Sequence, residues 1–367
     1  MSSPVAKYSR IFAKYVLVPF SILCVLAIVF LLSYRAYLQH EIREQTDISS
    51  PNGIQSLEKV LLGGIQQQIS IRGQDVSSPV LLFLHGGPGG AEIPLARFFD
   101  TELEEHFVVV RWDQRGAGMS YDSDIPIASL NTEQLISDAH ELSRLLCERL
   151  GVEKIYLVGH SWGSALGARV ASLYPDLFHA FVGVGVLVED VRLEEISYDF
   201  TLARAKELDN REALEQLEEI GRPPYDHFDE MIVQRTWLER FGGLYHGEMG
   251  NLFMMGATSP DTTLLDGYRY TRGQMFVLEH MWDDFKEVNL FEQAPRIEVP
   301  VYFFLGRHDY NTPPELALRY FEMLEAPAGK QIVWFENAGH MIPHEASKEY
   351  SDALIRRVLK ETYPPVP

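Results

Sequence analysis

The sequence predicts an α/β protein with a doubly wound, mostly parallel sheet, a helical insertion and one apolar helix ahead of the sheet. Three observations predict it. Short β-branched runs alternate with amphipathic runs, roughly a hundred residues interrupt that alternation, and a long apolar segment lies near the N-terminus. Strand–helix alternation is typical of parallel strands joined by helices that cover both faces of a sheet. A chain of 367 residues suits one such domain with an insertion, or two domains.

Charge separates the chain into two parts. Asp and Glu number 52 against 32 Lys and Arg, a net charge of −20, and aromatic residues make up 11%. The aromatic content favours an ordered chain, and the acidic excess argues against nucleic-acid binding, which needs basic residues to neutralise phosphates. Residues 1–40 nevertheless carry +4, whereas the remainder carries −24. A basic start before an acidic body indicates a targeting segment.

The apolar segment near the N-terminus has the length of a membrane span. Val16 to Leu32 is an apolar run of 17 residues, and the stretch from Tyr15 to Tyr34 has 20. At about 1.5 Å per residue, this length matches a hydrocarbon core of roughly 30 Å, and flanking tyrosines suit the membrane interfaces. We therefore predict a transmembrane anchor over 16–34, followed by a polar linker over 35–56.

The flanking charges predict the orientation of this anchor. Three basic residues precede the span and two follow it, namely Lys7, Arg10 and Lys14, then Arg35 and Arg43. The positive-inside rule places residues 1–15 in the cytoplasm and the body of the protein outside it.

Two other interpretations of the segment stay open. A buried core helix would normally carry a polar stripe, which this run lacks. A cleaved signal peptide would have a shorter apolar region of about 7–15 residues and small residues after it. Here Val25-Leu26-Ala27 lies inside the run, and Tyr34-Arg35-Ala36 has a bulky first residue. We therefore favour an uncleaved anchor.

The body of the chain begins with a first core segment, predicted over 57–186. Ile65–Ile71 alternates apolar and polar residues, as a half-buried strand does, and later runs are continuously apolar, as in strands buried on both faces. The predicted strands after it are Pro79–Leu84, Phe107–Trp112, Ile155–Val158 and Phe178–Val186. The predicted helices are Asn131–Leu150, with Asn131 as N-cap and Gly151 after its end, and Trp162–Tyr174.

The second core segment is predicted over 296–367, after a helical insertion over 187–295. Its strands are Val301–Leu305 and Gln331–Phe335, and its helices are Pro314–Leu324 and Ala346–Glu361. The insertion is too long for a loop, and its Glu-rich periodicity predicts helices at Ile196–Leu208, Arg211–Ile220 and Phe228–Phe241. We expect it to form a cap over the carboxyl ends of the strands, where α/β sheets bind ligands.

The strongest motif is Gly159-His160-Ser161-Trp162-Gly163, which stands between a predicted strand and a predicted helix. In that context G-x-S-x-G is the nucleophile elbow, in which a serine sits on a tight, strained turn. Its glycines avoid clashes, and the helix N-terminus favours developing negative charge. The alternative, a chance match in a glycine-rich loop, does not explain the strand and helix around it. Ser161 is therefore the predicted nucleophile.

A serine hydroxyl needs a base, and the base needs a group that orients it. His340 follows the last predicted strand and Asp309 follows the strand before it. The order Ser161, Asp309, His340 is the order of an α/β-hydrolase. His308 and His344 compete for the role of base. His308 adjoins the predicted acid, and His344 lies towards the last helix.

Acyl transfer also needs backbone N–H groups that point at the developing oxyanion. The run His85–Gly90 reads HGGPGG and follows the strand Pro79–Leu84. The expected donors are the N–H of Gly87 (or Gly86) and that of Trp162, which follows the nucleophile. A plain tight turn is the alternative. A phosphate cradle is disfavoured because no Gly-Lys-Ser/Thr or G-x-G-x-x-G spacing follows.

Taken together, these motifs resemble the proline iminopeptidase family of α/β-hydrolases. The resemblance covers about residues 60–186 and 297–360 and is carried by His85–Gly90, Asp113–Ser120 (DQRGAGMS), Gly159–Ser164, Gly306–Asp309 with Thr312-Pro313, and Ala338–His340. It implies an enzyme that removes an N-terminal residue, often proline, from peptides. It also implies the nucleophile, base, acid and oxyanion donors named above, and structural roles for Asp113 and Arg115.

The cap departs from that family's pattern. The resemblance implies acidic cap residues that hold the substrate's α-ammonium group, but the family's cap motifs have no match here. The acidic candidates are Glu189, Asp190, Glu194, Glu195, Glu279, Asp283 and Asp284. A carboxylate that faces the pocket would attract a cationic amine, whereas most surface acids are simply solvated.

The sequence thus leads to three functional hypotheses. The first is a membrane-anchored serine aminopeptidase that acts on small peptides. The second is a carboxylesterase or amidase that uses the same triad on another small ester or amide. The third is an inactive hydrolase fold used for binding, which the complete triad disfavours. No cofactor is expected, and no metal motif is present, because the chain has neither H-E-x-x-H nor a cysteine pair; Cys24 and Cys147 fall in different predicted helices.

Overall fold

The computed structural model describes residues 13–247 and 249–363, and within them a single eight-stranded sheet organises the body. The strands are β1 Ile54–Leu62, β2 Ile65–Gly73, β3 Val80–Leu84, β4 Val108–Asp113, β5 Ile155–His160, β6 Phe178–Val184, β7 Val301–Gly306 and β8 Lys330–Phe335. Their spatial order is β1-β2-β4-β3-β5-β6-β7-β8. β2 runs antiparallel to both of its neighbours, and all pairs from β4 to β8 are parallel. The predicted fold class is confirmed.

Helices flank this sheet and fill the insertion. They are α1 Val18–Thr46, α2 Ala96–Phe99, α3 Thr132–Leu150, α4 Trp162–Leu173, α5 Asp190–Glu207, α6 Arg211–Ile220, α7 Phe228–Arg240, α8 Leu252–Thr258, α9 Leu264–Lys286, α10 Leu290–Gln293, α11 Pro314–Met323, α12 Ile342–Glu345, α13 Ser347–Ala353 and α14 Lys360–Thr362. Single π-helical segments precede α1 at Ala13–Leu17 and separate α13 from α14 at Leu354–Leu359.

The central strands carry the apolar pattern that their burial requires. Every residue of β3, β4, β5 and β7 is buried, which explains why these strands are mostly apolar. α3 begins where expected, because the side chain of Asn131 accepts a hydrogen bond from the N–H of Gln134 at 2.9 Å. It ends at Gly151, whose φ of 67° suits a residue without a Cβ atom.

The helices α5 to α10 fall within the predicted insertion and contact loops at the carboxyl ends of the strands. Leu244 accepts a hydrogen bond from the N–H of His340 at 2.7 Å, and Gly243 accepts one from Tyr310 at 2.9 Å. On the other side, a Cβ atom at Gly273 of α9 would lie 2.7 Å from the carbonyl oxygen of Gly116. The insertion therefore covers the edge of the sheet where ligands of α/β proteins bind. As a division into domains, the ranges 57–186, 187–295 and 296–367 stay predictions.

The N-terminal helix is long, apolar and exposed. The segment Lys14–Thr46 has 33 residues, and its most apolar window has a mean hydropathy of 2.9 with no share of it buried. A buried core helix does not fit this exposure. Residues 1–12, which include Lys7 and Arg10 of the predicted cytoplasmic segment 1–15, lie outside the described residues.

The linker over 35–56 stays a prediction as a division of the chain, and much of this range has regular secondary structure. α1 continues to Thr46, and β1 starts at Ile54 and pairs along its whole length with β2. Many of its side chains are solvent-exposed, but several polar ones form hydrogen bonds with the body. Gln39, for example, is 9% exposed and donates to the carbonyl oxygen of Ser259 at 2.7 Å.

Arg97 fixes the end of α1 to the body. Its guanidinium is 4% exposed and forms ion pairs with Asp261 at 2.7 Å and with Asp47, just after α1, at 2.5 Å. Arg72 adds a hydrogen bond of 2.5 Å to the carbonyl oxygen of Thr46. Because these buried donors hold both α1 and the segment before α9, they set the position of α1 relative to the insertion.

We expect Arg97→Met to lower the free energy of unfolding by about 3 kcal/mol, because it leaves the largely buried carboxylate of Asp261 without its partner. Urea unfolding of the full chain in detergent measures this. The matched control is Arg296→Met, whose guanidinium is 50% exposed and pairs with Glu298 and Glu325. The control should change stability by less than about 1 kcal/mol. Equal effects of the two variants would contradict a special role for Arg97.

Candidate active site

Ser161 stands on a strained turn between β5 and α4. Its φ is 55° and its ψ is −123°, a conformation that residues with a Cβ atom rarely adopt. The turn is held on both sides: the N–H of Ser161 donates to Val184 at 2.9 Å, and its carbonyl oxygen accepts from the hydroxyl of Ser164 at 2.6 Å. Strain of this kind persists only where the surroundings enforce it, and it is concentrated at functional sites.

The two glycines of the motif are required by close approach of backbone. A Cβ atom at Gly159 would lie 2.1 Å from the carbonyl oxygen of Gly163. One at Gly163 would lie 2.1 Å from the carbonyl oxygen of Leu84, at the end of β3. The strand and the helix can therefore cross this tightly only because both positions lack side chains.

Asp309 and His340 are directly paired. Oδ2 of Asp309 lies 2.9 Å from Nδ1 of His340, and both side chains are buried. The hydroxyl of Thr312 donates to the same carboxylate oxygen at 2.7 Å. The other oxygen accepts from the N–H groups of Asn311 and Thr312 at 2.9 and 2.7 Å. These bonds hold the carboxylate in place and orient the imidazole ring.

His340 lies beside the turn that carries Ser161. Its ring centroid is 4.8 Å from that of His160, whose Nε2 lies 3.0 Å from the carbonyl oxygen of His340. Gly185 follows Val184, which accepts the hydrogen bond from Ser161. A Cβ atom at Gly185 would lie 2.9 Å from Nδ1 of His340. Among the described residues no hydrogen bond joins the hydroxyl of Ser161 to His340. Hydrogen bonds between a nucleophile and its base commonly shorten when a substrate binds.

The glycine-rich loop after β3 reaches the same turn. A Cβ atom at Gly86 would lie 3.0 Å from the Cβ of Ser161, and Gly87 has a φ of 118°. Within the described residues, the N–H groups of Gly87 and Trp162 donate to no other group. Trp162 is the first residue of α4, where helix N–H groups lack an internal acceptor. Both predicted oxyanion donors are therefore available.

His85 holds this loop as a neutral ring. Its Nδ1 lies 2.8 Å from the carbonyl oxygen of Gly86, and its Nε2 accepts from the N–H of Gln114 at 3.1 Å. The second contact requires an unprotonated Nε2, and burial lowers the pKa of His85 to about 4, which keeps the ring neutral.

A model of the family described as alpha/beta hydrolase fold matches residues 79–347. The chain belongs to the α/β-hydrolase family. It is an enzyme, a hydrolase, of the aminopeptidase and proline iminopeptidase-like kind.

Three similar proteins define this relationship. "Probable aminopeptidase YbaC" of Bacillus subtilis is 33% identical over 315 residues, which cover 84% of this chain and 98% of the relative. A proline iminopeptidase of Saccharolobus solfataricus is 25% identical over 297 residues, covering 77% and 85% of the two chains. The solved structure of a Mycobacterium smegmatis proline iminopeptidase shares the fold with a TM-score of 0.60 and 19% identity, covering 84% and 98%. The resemblance drawn from the motifs is confirmed.

The other motif residues of the hydrolase form supporting contacts below the loops. Arg115 makes two hydrogen bonds to Asp138, of 2.8 and 3.0 Å, and both side chains are buried. Asp113 accepts from the N–H of Met119 at 2.8 Å and from the hydroxyl of Tyr270 on α9 at 2.9 Å. Burial raises the pKa of Asp113 to about 7. These contacts tie the loop after β4 to α3 and to the insertion.

The competing histidines are engaged elsewhere. The ring of His308 stacks on that of His246, with centroids 3.5 Å apart. His344 packs edge-on against Phe99 and lies 3.8 Å from a carboxylate oxygen of Glu92. Of the histidines weighed from the sequence, His340 is the one paired with Asp309.

A buried charged cluster behind the active site escaped the sequence analysis. Arg111 of β4 pairs with Asp100 at 2.6 Å and with Glu92 at 3.0 Å, and Glu92 also faces His160 and His344 at 3.8 Å each. The available signal was an arginine inside an otherwise apolar, fully buried strand, since such a charge needs a partner. Through Glu92 the cluster contacts His160, the residue before Ser161, and so packs against the turn.

Glu345 is a second residue that the sequence did not single out. One of its oxygens accepts from the N–H groups of Gly339 and Met341 at 2.8 and 3.1 Å. The other accepts from the N–H groups of His246 and Gly247 at 2.8 and 3.3 Å. It thus fastens a loop of the insertion to both sides of His340.

The acidic cap candidates lie in several different environments. Glu194 is 1% exposed and is paired with Arg235. Asp284 accepts from the N–H of Thr132 at 2.7 Å, and Asp283 and Glu195 pair with Lys286 and Arg192 on the surface. Glu279 is exposed, Glu189 is half-buried, and the side chain of Asp190 lies outside the description. Glu194 is the most buried of those described.

The buried histidine of the charged cluster predicts a pH dependence of stability. Burial lowers the pKa of His344 from 6.5 to about 4. Between these two pH values the imidazole is protonated in the unfolded chain and neutral in the folded one. Stability is therefore lost as the pH falls from about 6.5 towards about 4.

We expect His344→Leu to remove this contribution, which amounts to about 2 kcal/mol at pH 5 and almost nothing at pH 8. Thermal unfolding of the wild type and the variant between pH 5 and 8 measures it. The difference in unfolding free energy between the variant and the wild type should therefore shift in favour of the variant as the pH falls from 8 to 5. Parallel pH profiles would contradict a neutral His344.

Proposed function

We propose that this hydrolase is a serine aminopeptidase of proline iminopeptidase type, which releases N-terminal residues from short peptides. The observation that carries the proposal is the pairing of Asp309 with His340 at 2.9 Å beside the strained turn of Ser161. The relatives named as aminopeptidases and proline iminopeptidases support the same reaction class.

In the proposed mechanism Ser161 attacks the carbonyl carbon of the N-terminal residue. His340 takes the hydroxyl proton at Nε2, while its Nδ1–H donates to Asp309, whose charge stabilises the imidazolium. The N–H groups of Gly87 and Trp162 donate to the oxyanion. When the tetrahedral intermediate collapses, the C–N bond breaks and His340 returns its proton to the leaving amine.

A water molecule then completes the cycle. His340 accepts a proton from water, the resulting hydroxide attacks the acyl-enzyme, and the ester bond to Ser161 breaks as the serine regains its proton. The acyl group leaves as the free amino acid. The insertion lies close to His340, because Leu244 accepts from its N–H and a neighbouring loop of the insertion donates to Glu345. We expect this cover to favour short, narrow substrates over folded chains.

A carboxylesterase or amidase with the same triad is the second candidate. The observation that favours it is the state of Glu194: the most buried of the described cap acids is already neutralised by Arg235. A compensated carboxylate attracts a substrate ammonium less than an unpaired one does. Substrate specificity, and not the triad, separates the two functions.

We also propose that α1 anchors the enzyme in a membrane over 16–34, with residues 1–15 in the cytoplasm and the catalytic body outside it. The exposed apolar helix supports this, and its firm attachment to the body through Arg97 favours retention over cleavage. Extraction of membranes with alkaline carbonate and measurement of intact mass test it. A soluble protein shortened near residue 34 would identify a cleaved signal sequence instead.

Replacement of the nucleophile gives the direct test of the catalytic proposal. We expect Ser161→Ala to lower kcat on proline arylamide by about a thousandfold or more, because nucleophilic attack is lost while the fold remains. Ser143→Ala is the control, since Ser143 is a buried serine that donates to Ala139 at 2.7 Å within α3, and it should retain activity. A fluorophosphonate should label the wild type and the control but not Ser161→Ala. Labelling that is unaffected by Ser161→Ala would refute the assignment.

The requirement for a free amine separates the two candidate functions. We expect proline arylamide to be hydrolysed and its N-acetyl derivative to react at least about a hundredfold more slowly, since acetylation removes the ammonium charge and enlarges the N-terminus. Parallel assays of kcat/KM with a short-chain nitrophenyl ester provide the comparison. Hydrolysis of the ester alone would favour the esterase.

A further inference from the structure

Part of the insertion exposes a cluster of large apolar side chains. The side chains of Phe253, Met254, Leu264, Leu265 and Tyr268 are between 51% and 78% exposed. They belong to α8 and the first turns of α9, and we call this surface the α8–α9 face. Five large apolar side chains within sixteen residues are more than the scattered single exposures of an ordinary surface, and such patches mark interaction sites.

This face lies beside the point where the proposed membrane span ends. Arg35 donates to the carbonyl oxygens of Ala257 and Thr262 at 2.8 and 2.7 Å, and Gln39 donates to that of Ser259 at 2.7 Å. The apolar run ends at Leu32, three residues before Arg35. At about 1.5 Å per residue, the contacts begin roughly 5 Å along α1 from the end of the apolar run.

The charges of the region also distinguish it from the rest of the body. Residues 249–278 contain two acids and two arginines, a net charge of zero, whereas the chain as a whole carries −20. Both acids are paired, Asp261 with Arg97 and Asp266 with Arg269. An anionic lipid surface repels an acidic protein, so a neutral apolar face is the part that can approach one closely.

A cavity of about 650 Å³ opens beneath the face. Its walls include Arg35, Phe253 and Leu264 on one side and Gly89 and Gly90 of the glycine-rich loop on the other. The cavity therefore extends from the end of the apolar span to the loop that carries the proposed oxyanion donor Gly87.

We propose that the α8–α9 face is seated in the interfacial layer of the lipid bilayer that α1 crosses. The inference rests on the proposed membrane anchor, and its partner is the bilayer surface. Rigid attachment of α1 holds the face at the level of the headgroups, where aromatic and aliphatic side chains are buried next to arginines. The mouth of the cavity then opens at the membrane surface, which gives the glycine-rich loop access to amphiphilic substrates.

Site-directed spin labelling of the full chain in phosphatidylcholine and phosphatidylglycerol vesicles tests the proposal. In a Cys24→Ala, Cys147→Ala background, nitroxides are placed by Met254→Cys and Leu265→Cys, neither of which lines the cavity. Met323→Cys on α11 is the aqueous control at 65% exposure, and Leu23→Cys in the span is the deep control at 64%. Relaxation by oxygen and by a water-soluble nickel chelate then reports the depth of each label.

We expect the labels at 254 and 265 to show at least about a threefold lower accessibility to the nickel chelate than the label at 323, with high accessibility to oxygen. Nickel accessibility equal to that at 323, with the label at 23 deep in the bilayer, would overturn this inference and leave the anchor intact. An aqueous label at 23 would overturn the anchor as well. Shielding from both relaxants, with dipolar broadening between labels, would show a second copy of the chain on the face and would also overturn the inference.

The aminopeptidase proposal is measured separately. Hydrolysis of soluble proline arylamide by the four labelled variants shows whether each is folded and catalytically competent. If the wild type does not hydrolyse proline arylamide, the proposed function is refuted, whereas the measured depth of the labels is unaffected.

Discussion

The crowded junction between β5 and α4 is the constraint on which the rest of the site depends. Two backbone contacts, Gly159 with Gly163 and Gly163 with Leu84, leave no space for a Cβ atom and force Ser161 to a φ of 55°. A turn this strained projects the side chain away from both the strand and the helix. The same crowding brings the end of β3 against the start of α4, so the glycine-rich loop after β3 has to pass beside Ser161.

Buried ion pairs keep the surrounding loops in that arrangement. Arg111 forms ion pairs with Glu92 and Asp100 below the turn, and Arg115 forms one with Asp138 beside the loop after β4. Removal of one partner from such a pair is costly because the remaining charge is buried without compensation. The loops are therefore fixed by electrostatic interactions that an apolar core alone would not supply.

The sequence could predict the local parts of the candidate site because each has a local chemical cause. Glycine spacing around Ser161, strand patterns before Asp309 and His340, and the HGGPGG run all reflect contacts within a few residues or within one strand. The buried cluster around Glu92 and the fastening of His340 by Glu345 depend on residues far apart in the chain. A single glutamate within an acidic sequence gives no sign of such contacts, because most acids in proteins are solvated.

By itself, the sequence determined the α/β class and an apolar N-terminal helix long enough to span a bilayer, and it predicted an order of nucleophile, acid and base, since hydrophobic periodicity and turn chemistry are properties of short segments. Only the tertiary structure decided that α1 continues to Thr46 and bonds to the body, because a polar residue such as Gln39 looks the same in sequence whether water or a carbonyl oxygen accepts its hydrogen bond. It also decided that Glu194 is paired with Arg235 and that the α8–α9 face lies beside the end of α1. These are matters of distance between remote segments, which the fold alone sets.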